Sequence, residues 1–224
     1  VMKTVISSNF GRTARKRSSA MHSVKSKAVF YCGTNGAGKS TLRHLNQDDV
    51  FIVIDSDHIA AELNPNNPRA ADMEAGRKAL RLFKQAVANK ISFSMESTLA
   101  GISSLNRIQA AKAAGFHIIL NYIGLSSPDL NILRVEERFC NGGHWIAPDL
   151  IRKRFTESLH NLQTAFEYTD ECFIFDNTSS APVLQLWMEN GRYLKNLRPS
   201  EWVLPVEQAM LARNFIFEKF LPTD

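Results

Sequence analysis

The amino-acid sequence predicts an α/β fold in which helices cover both faces of a parallel sheet of about five strands. Short apolar segments alternate with amphipathic segments along most of the chain, a pattern typical of right-handed βαβ crossovers. A glycine-rich loop follows the first apolar segment, as at the first strand-to-helix turn of many such sheets. The chain has 224 residues, of which 44% are hydrophobic, and this is enough for one domain with a sizeable core.

Five segments are predicted to form the strands. Each is a short and nearly continuous run of apolar side chains, which is typical of strands that are buried on both faces. In chain order they are residues 28–32, 51–54, 91–95, 116–123 and 172–175.

Helices are predicted between and after these strands. In the longest segments apolar residues recur at spacings of three and four, which places them on one face of a helix. Gly115 and Gly191 are predicted to end helices, and Pro128 and Pro148 suit the first turn of two helices. The predicted helices are residues 39–45, 70–89, 103–114, 128–139, 148–168 and 181–190.

Charge and composition divide the chain into three regions. Residues 1–27 form a basic lead, residues 28–190 the main domain, and residues 191–224 an appendage of that domain whose segment 202–220 has helical spacing. The lead holds seven of the 27 lysines and arginines and no acid, and it therefore accounts for the formal net charge of +5. It is interpreted as a solvated tail, a docking helix or an arm for nucleic acid. The remaining 20 basic and 22 acidic residues do not favour nucleic-acid binding by the domain.

Composition also excludes several classes of protein. The apolar fraction is too high for a disordered chain, and no segment approaches the roughly 18 apolar residues of a membrane helix. Cys32, Cys140 and Cys172 lie far apart and form no C-x-x-C pair, which argues against a disulfide framework or a zinc site. A reducing compartment fits these cysteines best, and we expect a cytoplasmic protein.

The motif with the clearest chemistry is G-x-x-x-x-G-K-S, which occupies residues 33–40. It lies between a predicted strand and a predicted helix, the context in which such a loop cradles phosphates. Its backbone N–H groups and the positive end of the helix attract a polyphosphate. Lys39 is expected to contact the β- and γ-phosphates of ATP, and the Ser40 hydroxyl to bind Mg²⁺. The predicted ATP-binding residues of this loop are Gly33, Thr34, Asn35, Gly36, Ala37, Gly38, Lys39, Ser40 and Thr41.

The loop narrows the fold class to a P-loop kinase-like three-layer sandwich. Neither the L-S-G-G-Q sequence of ABC cassettes nor the N-K-x-D sequence of GTPases occurs in the chain. A kinase needs a carboxylate near the acceptor hydroxyl, and Asp55, Asp57 and Glu96 all lie at predicted strand ends beside the loop. Asp57 is predicted to be a general base or a substrate ligand, with a helix N-cap as the alternative.

Two arginine-bearing segments are candidates for the cations that a kinase needs at the transferred phosphoryl group. Arg134 lies in a predicted helix, a glycine turn with His144 follows, and Arg152 and Arg154 lie in the next helix. Small kinases build a mobile flap from such a helix, turn and helix. The alternative interpretation is a solvated helix face with Arg–Glu pairs.

Taken together, these motifs resemble the zeta-toxin kinases, in particular their small zeta-like branch. The resemblance spans residues 28–190 and rests on the order and spacing of residues 33–41, 54–65, 96–99, 134–135, 142–144, 154–155 and 175–177. One departure is that Pro148 follows His144 by four residues, where the family pattern has a proline three residues after the histidine.

The resemblance implies transfer of the γ-phosphate of ATP to a sugar hydroxyl, which in studied relatives belongs to UDP-N-acetylglucosamine. It also implies an antitoxin protein as partner. By position, the residues that resemble the family's catalytic groups are Lys39, Asp57, Arg134 and Arg154. Those that resemble its substrate-binding groups are Asp57, Glu96, Thr98, His144 and Arg152. Asn177 resembles part of the loop beside the nucleotide base. The alternatives are a kinase for another nucleotide-like molecule or a polynucleotide end, and a non-catalytic nucleotide-binding module.

Overall fold

The structure, a computed structural model, describes residues 25–222, so most of the basic lead and the three interpretations of it lie outside the described residues. One sheet of eight strands runs through the described part, in the order β2-β3-β1-β4-β5-β6-β7-β8. The strands are β1 (Lys27–Cys32), β2 (Ile52–Ile54), β3 (Phe93–Ser97), β4 (His117–Gly124), β5 (Glu171–Asp176), β6 (Val183–Glu189), β7 (Arg192–Lys195) and β8 (Ile216–Phe220).

Helices connect the first five strands, all of which run parallel. The helices are α1 (Lys39–Asn46), α2 (Ser56–Leu63), α3 (Asp72–Ala88), α4 (Ile102–Ala113), α5 (Pro128–Cys140), α6 (Pro148–Ala165) and α7 (Leu204–Leu211). Short 3₁₀ turns occupy Pro68–Ala71, Phe166–Tyr168 and Glu201–Val203. The predicted α/β fold with a largely parallel sheet is confirmed. No helix among residues 25–222 is long and apolar enough to cross a membrane.

The core lies on both faces of the sheet, as the apolar strands predict. On β1, Phe30 and Tyr31 are buried on opposite faces, because side chains alternate along a strand. The Phe93 ring on β3 contacts the rings of Phe30, Phe83 and Phe116 at centroid distances of 5.8, 5.6 and 5.6 Å. Edge-to-face contacts of this kind add to the free energy gained by burial, and they tie β1 and β3 to the helical layer.

The parallel register brings the carboxyl ends of three strands to one edge of the sheet. Cys32 of β1 pairs with Ser97 of β3, and Ile54 of β2 pairs with Met95. The loop after β1, Asp55 after β2 and Glu96 near the end of β3 therefore lie beside one another. This edge is where ligands bind in open α/β sheets.

The prediction of a helix over residues 181–190 is wrong. This segment contains β6, which forms an antiparallel hairpin with β7. Asn190 and Gly191 both have positive φ (50° and 75°). They form the two-residue loop between the paired residues Glu189 and Arg192. Asn-Gly is a preferred sequence for such a loop because both residues tolerate the left-handed conformation, so Gly191 completes a hairpin turn instead of ending a helix.

The C-terminal segment extends the sheet from the predicted five strands to eight. Within residues 202–220 only Glu201–Val203 and α7 are helical, and Ile216–Phe220 forms β8, which runs parallel to β7. Glu207 on α7 is buried and accepts hydrogen bonds from the Tyr193 hydroxyl (2.9 Å) and the Lys195 ammonium group (2.8 Å). These bonds fasten α7 to β7. The predicted division of the chain at residues 27 and 190 stays a prediction.

The space above Gly124, the last residue of β4, is filled by the indole ring of Trp202. A Cβ at Gly124 would overlap that ring, so we expect Gly124→Ala to lower the free energy of unfolding by about 1–3 kcal/mol, as overpacking does elsewhere. Chemical denaturation monitored by circular dichroism measures the change. The matched control is Gly76→Ala on α3, where nothing lies within 4 Å of the new Cβ; removing a helical glycine there should raise stability by about 0.5–1 kcal/mol. Equal effects of the two substitutions would contradict the packing argument.

A cluster of charged residues lies at the opposite, amino-terminal edge of the sheet. The Nε2 atom of His117 is 2.6 Å from a carboxylate oxygen of Glu171, and Lys112 donates a hydrogen bond of 2.6 Å to Asp170. The hydrogen bond to Glu171 raises the pKa of His117, and burial only partly opposes it.

Because the folded-state pKa of His117 is raised, its stabilising effect is complete below the pKa of the unfolded chain, about 6.5. The effect is lost as the pH rises through the folded-state pKa. We therefore expect the difference in unfolding free energy between the wild type and His117→Gln to be larger at pH 5.5 than at pH 8.5. Urea denaturation at both pH values measures it, and a difference that grows with pH would refute the assignment.

Candidate active site

The phosphate loop turns sharply between β1 and α1, and its conformation depends on glycine. Gly33, Gly36 and Gly38 have φ values of 141°, 78° and 99°, in the region that other residues rarely adopt. A Cβ at Gly33 would overlap the carbonyl oxygen of Ile123 on β4, and one at Gly38 would overlap the side-chain amide of Asn177. The loop is therefore packed closely against its neighbours at both ends.

Side chains from three other segments, α5, α6 and the loop after β5, hold the phosphate loop from behind. The buried amide of Asn131 on α5 donates to the Asn35 carbonyl oxygen (2.7 Å), and the Asn177 amide donates to the Ala37 carbonyl oxygen (2.8 Å). Arg154 on α6 donates to the Asn35 side-chain oxygen (2.9 Å). The Ala37 N–H donates to the Thr34 carbonyl oxygen within the loop (3.1 Å). With the Asn35 and Ala37 carbonyls occupied, the other N–H groups of the loop are the backbone groups suited to an anion.

Lys39 lies between the loop and the carboxylates of the site. Its ammonium group donates to the Thr34 carbonyl oxygen at 3.3 Å. Burial lowers the pKa of Lys39, while the nearby charges of Glu96 and Asp57 act in the opposite direction. A lysine in this position is oriented by the loop and is available to a phosphate group.

Asp55, and not Asp57, caps the helix that follows β2. The Asp55 carboxylate accepts hydrogen bonds from the backbone N–H groups of Asp57 (3.1 Å) and His58 (3.3 Å), at the start of α2. The alternative interpretation of Asp57 as the N-cap is therefore wrong. Asp57 lies in the first helical turn, where its carboxylate lines the cavity described below.

Glu96 is held by two residues of α1. Its two carboxylate oxygens accept hydrogen bonds from the Ser40 hydroxyl (2.8 Å) and from Arg43 Nε (2.7 Å). Arg43 also approaches Asp55, with 3.4 Å between Nη2 and Oδ2. Sequence reasoning missed Arg43, although it lies three residues after Ser40 and so on the same face of α1.

The oxygen atoms around Ser40 fit the Mg²⁺ ion that accompanies ATP in proteins with this loop. A hydroxyl and a nearby carboxylate are hard ligands, and Mg²⁺ completes its shell with water and substrate phosphates instead of a protein cage. Residues 25–222 contain no group of three or more His, Cys, Asp or Glu side chains that could hold a metal ion. Ser40 and Glu96 are the residues that would hold it.

A cavity of about 440 Å³ opens beside the loop. Asp57, Arg69 and Asp72 line one side, and His144 and Trp145 line the other. Arg69 donates a hydrogen bond to the Trp145 carbonyl oxygen, and His144 lies 3.8 Å from an Asp72 oxygen. The α5–α6 connection therefore covers the cavity and is joined to the α2–α3 side by two polar contacts. Asn35 and Arg154 complete the end nearest the loop.

The structure does not bring every predicted residue to this cavity. Arg134 donates instead to the carbonyl oxygens of Asn177 (2.8 Å) and Thr178 (3.3 Å), where it supports the loop after β5. Arg152 is half exposed and forms ion pairs with Asp129 (3.0 Å) and Asp149 (3.7 Å). This surface position gives no support to a substrate-binding role for Arg152.

Thr98 lies in the loop after β3, where its hydroxyl accepts a hydrogen bond from the Ala100 N–H at 3.4 Å. Thr98 and Glu96 lie at the same sheet edge, but neither is among the residues that line the cavity. Besides Arg43, sequence reasoning missed Arg69 and Asn131. Neither belongs to a motif, and each reaches the site through a long-range contact.

Comparison with known proteins identifies related sequences. A sequence model of the family described as Zeta toxin matches residues 12–185. A protein of Haemophilus influenzae described as uncharacterized is 54% identical over 132 residues, which cover 59% of this chain and 94% of that protein.

Solved structures share the fold. One comes from the PezAT chromosomal toxin-antitoxin system of Streptococcus pneumoniae, with a TM-score of 0.58 and 18% identity over 86% of this chain and 85% of that chain. Another is the AvrRxo1-ORF1:-ORF2 complex with ATP, with a TM-score of 0.61 and 13% identity over 83% of this chain and 64% of that chain. At these identities the likeness concerns the fold alone.

The contact between Asn131 and the loop leads to a test of nucleotide binding. We expect Asn131→Leu to weaken ATP binding about tenfold, because the Asn35 carbonyl loses its partner and the loop loses the conformation that presents its N–H groups. Isothermal titration calorimetry measures the dissociation constant. The control is Asn141→Leu directly after the other end of α5, where the side-chain amide donates to the Glu137 carbonyl oxygen of the same helix. An unchanged affinity in Asn131→Leu would show that the loop does not need this anchor.

Proposed function

The chain belongs to the zeta toxin family, and on this premise we propose that it is an ATP-dependent kinase that phosphorylates a hydroxyl group of a small molecule. The observation that carries the proposal is that Asp57 and Arg154 line one cavity, while Arg154 also contacts the phosphate loop. A candidate base and a candidate phosphoryl-binding cation thus meet between the nucleotide loop and an open space for the acceptor.

In the proposed reaction, ATP binds to residues 33–41 and the acceptor occupies the cavity. The Asp57 carboxylate orients the acceptor hydroxyl and accepts its proton as the hydroxyl oxygen forms a bond to the γ-phosphorus. The bond from that phosphorus to the bridging oxygen breaks, and ADP leaves with the electron pair. Lys39 and Arg154 neutralise negative charge on the transferred group. Mg²⁺, when bound, supplies further charge neutralisation and orients the phosphates.

For the acceptor we propose a nucleotide sugar, with UDP-N-acetylglucosamine as the first candidate from the resemblance to the family. A volume of about 440 Å³ is within the range of small-molecule sites, about 300–1,000 Å³. Arg69 and His144 offer positive or hydrogen-bonding groups for an anionic diphosphate, and Trp145 offers an aromatic ring. Glu96 and Thr98 stay candidate acceptor ligands, and Arg134 and Asn177 stay candidates on the nucleotide side.

An antitoxin protein is the proposed partner. Support comes from family membership and from the PezAT structure, which is described as part of a toxin-antitoxin system. Purification of the tagged chain together with the product of the adjacent gene would test this partner. The cytoplasmic location stays a prediction.

Asp57 and Lys39 are the positions at which the proposed reaction is most sensitive to substitution. We expect Asp57→Asn to lower turnover about 100–10,000-fold with ATP affinity nearly unchanged, because a carboxamide cannot accept the proton and general-base catalysis contributes about 10²–10⁴-fold in other enzymes. Lys39→Ala should lower both turnover and ATP affinity. Incubation with ATP and a panel of UDP-sugars, nucleotides and oligonucleotides, followed by mass spectrometry of the acceptors, measures transfer and identifies the substrate.

The matched control for Asp57→Asn is Asp149→Asn, which changes a fully exposed carboxylate on α6 and should leave turnover unchanged. Near-wild-type turnover in Asp57→Asn would exclude Asp57 as the base. Binding of ATP without transfer to any acceptor in the panel would favour the nucleotide-binding module over the kinase.

A further inference from the structure

Arg43 joins three elements of the site through one side chain. It lies on α1, one turn after Ser40, and its guanidinium group contacts Glu96 near the end of β3 and Asp55 after β2. The distances are 2.7 Å from Nε to the Glu96 carboxylate and 3.4 Å from Nη2 to the Asp55 carboxylate. No motif of the sequence includes this residue, and the proposed reaction assigns it no role.

The environment of these ion pairs distinguishes them from the ordinary pairs on the surface. The side chains of Arg43, Glu96 and Asp55 are 14%, 9% and 13% exposed, whereas those of Arg152 and Asp129 are 51% and 75% exposed. Exposed pairs contribute little to stability and hold their side chains loosely. A largely buried arginine between two carboxylates fixes the positions of all three groups, since loss of one partner leaves the others buried without compensation.

Both carboxylates have a second contact that carries this constraint further into the site. The other oxygen of Glu96 accepts a hydrogen bond from Ser40 at 2.8 Å. Asp55 caps α2 through the N–H groups of Asp57 and His58. A shift of Arg43 would therefore move Glu96 directly and would loosen the helical turn that carries Asp57.

We propose that Arg43 is a positioning residue that sets the carboxylates of Glu96 and Asp57 relative to the phosphate loop. The inference rests on the proposed kinase function and adds to it the coupling between the nucleotide side and the acceptor side. Arg43 does not line the cavity, and it acts through Glu96 and Asp55. A guanidinium group suits this task because its several N–H donors are fixed in one plane, whereas an ammonium group is a single point of charge.

The proposal predicts a loss that falls on the acceptor and not on ATP. We expect Arg43→Met to lower kcat/KM for the acceptor about 10–100-fold, while the dissociation constant for ATP changes less than about threefold, since the phosphate loop keeps its own anchors. Arg43→Lys should lie between the wild type and Arg43→Met, because the ammonium group keeps the charge but lacks the planar, fixed N–H donors that hold both carboxylates in place. Steady-state kinetics and calorimetry with ATP measure these quantities.

A double-mutant cycle with Glu96→Gln separates positioning from a general structural role. If Arg43 acts through Glu96, then Arg43→Met should cost much less in the Glu96→Gln background than in the wild type, because interacting residues are not additive. The matched control is Arg81→Met on α3, which changes an exposed arginine with no ion pair among residues 25–222 and should leave all parameters unchanged. Thermal unfolding of each variant verifies folding, and Arg43→Lys carries the test if Arg43→Met does not fold.

Three results would overturn the inference: wild-type kinetics in Arg43→Met, an equal loss of ATP affinity and acceptor efficiency, or the full loss in the Glu96→Gln background. The proposed function fails in a different way, by an absence of phosphoryl transfer in the wild type. An active wild type with an unaffected Arg43→Met therefore refutes only the role of Arg43.

Discussion

The conformation of the phosphate loop is the constraint on which the rest of the site depends. Three glycines with positive φ give the loop a shape that it would not keep alone, because such residues have many accessible conformations in a free chain. The shape is maintained by the amides of Asn131 and Asn177, which bind the loop's carbonyl oxygens. The close approach of Gly33 to the end of β4 limits it further. Without these neighbours the N–H groups would have no fixed direction toward an anion.

The two sides of the site are assembled by different parts of the sheet. β4 and β5 lie on one side of β1, and these two strands lead into the segments that hold the loop from behind. The strands on the other side, β3 and β2, lead to Glu96 and Asp55, which contact Arg43 on α1. Because β1 lies between β3 and β4 in the sheet, the phosphate loop is placed at the junction of these two halves. The central strand β1 thus carries the loop on which both halves of the site converge.

Much of this arrangement could be predicted from the sequence, and the exceptions have physical causes. The five parallel strands are continuous apolar segments, and the residues of the phosphate loop are characteristic in type and spacing. The hairpin of β6 and β7 was missed because residues 181–190 are apolar enough for either a helix or a strand, and only the pairing with β5 decides between them. Asp55 caps α2 instead of Asp57. The sequence does not distinguish the two, because the direction of the backbone after β2 decides which carboxylate reaches the first N–H groups of the helix. The contacts of Arg43, Arg69 and Arg134 could not be predicted, because the guanidinium group of a long flexible side chain can reach several alternative partners.

The distances along the chain between the loop and its anchors have a consequence for protein synthesis. Asn131, Arg154 and Asn177 lie 96, 119 and 140 residues after the loop residues they bind. A ribosome adds about 5–20 residues per second, so the loop leaves the exit tunnel many seconds before its last anchor is made. During that interval the nascent chain carries the complete nucleotide-binding motif without the scaffold that shapes it. The nascent chain thus has the full set of loop anchors only late in translation, after β5 and Asn177 have been synthesised.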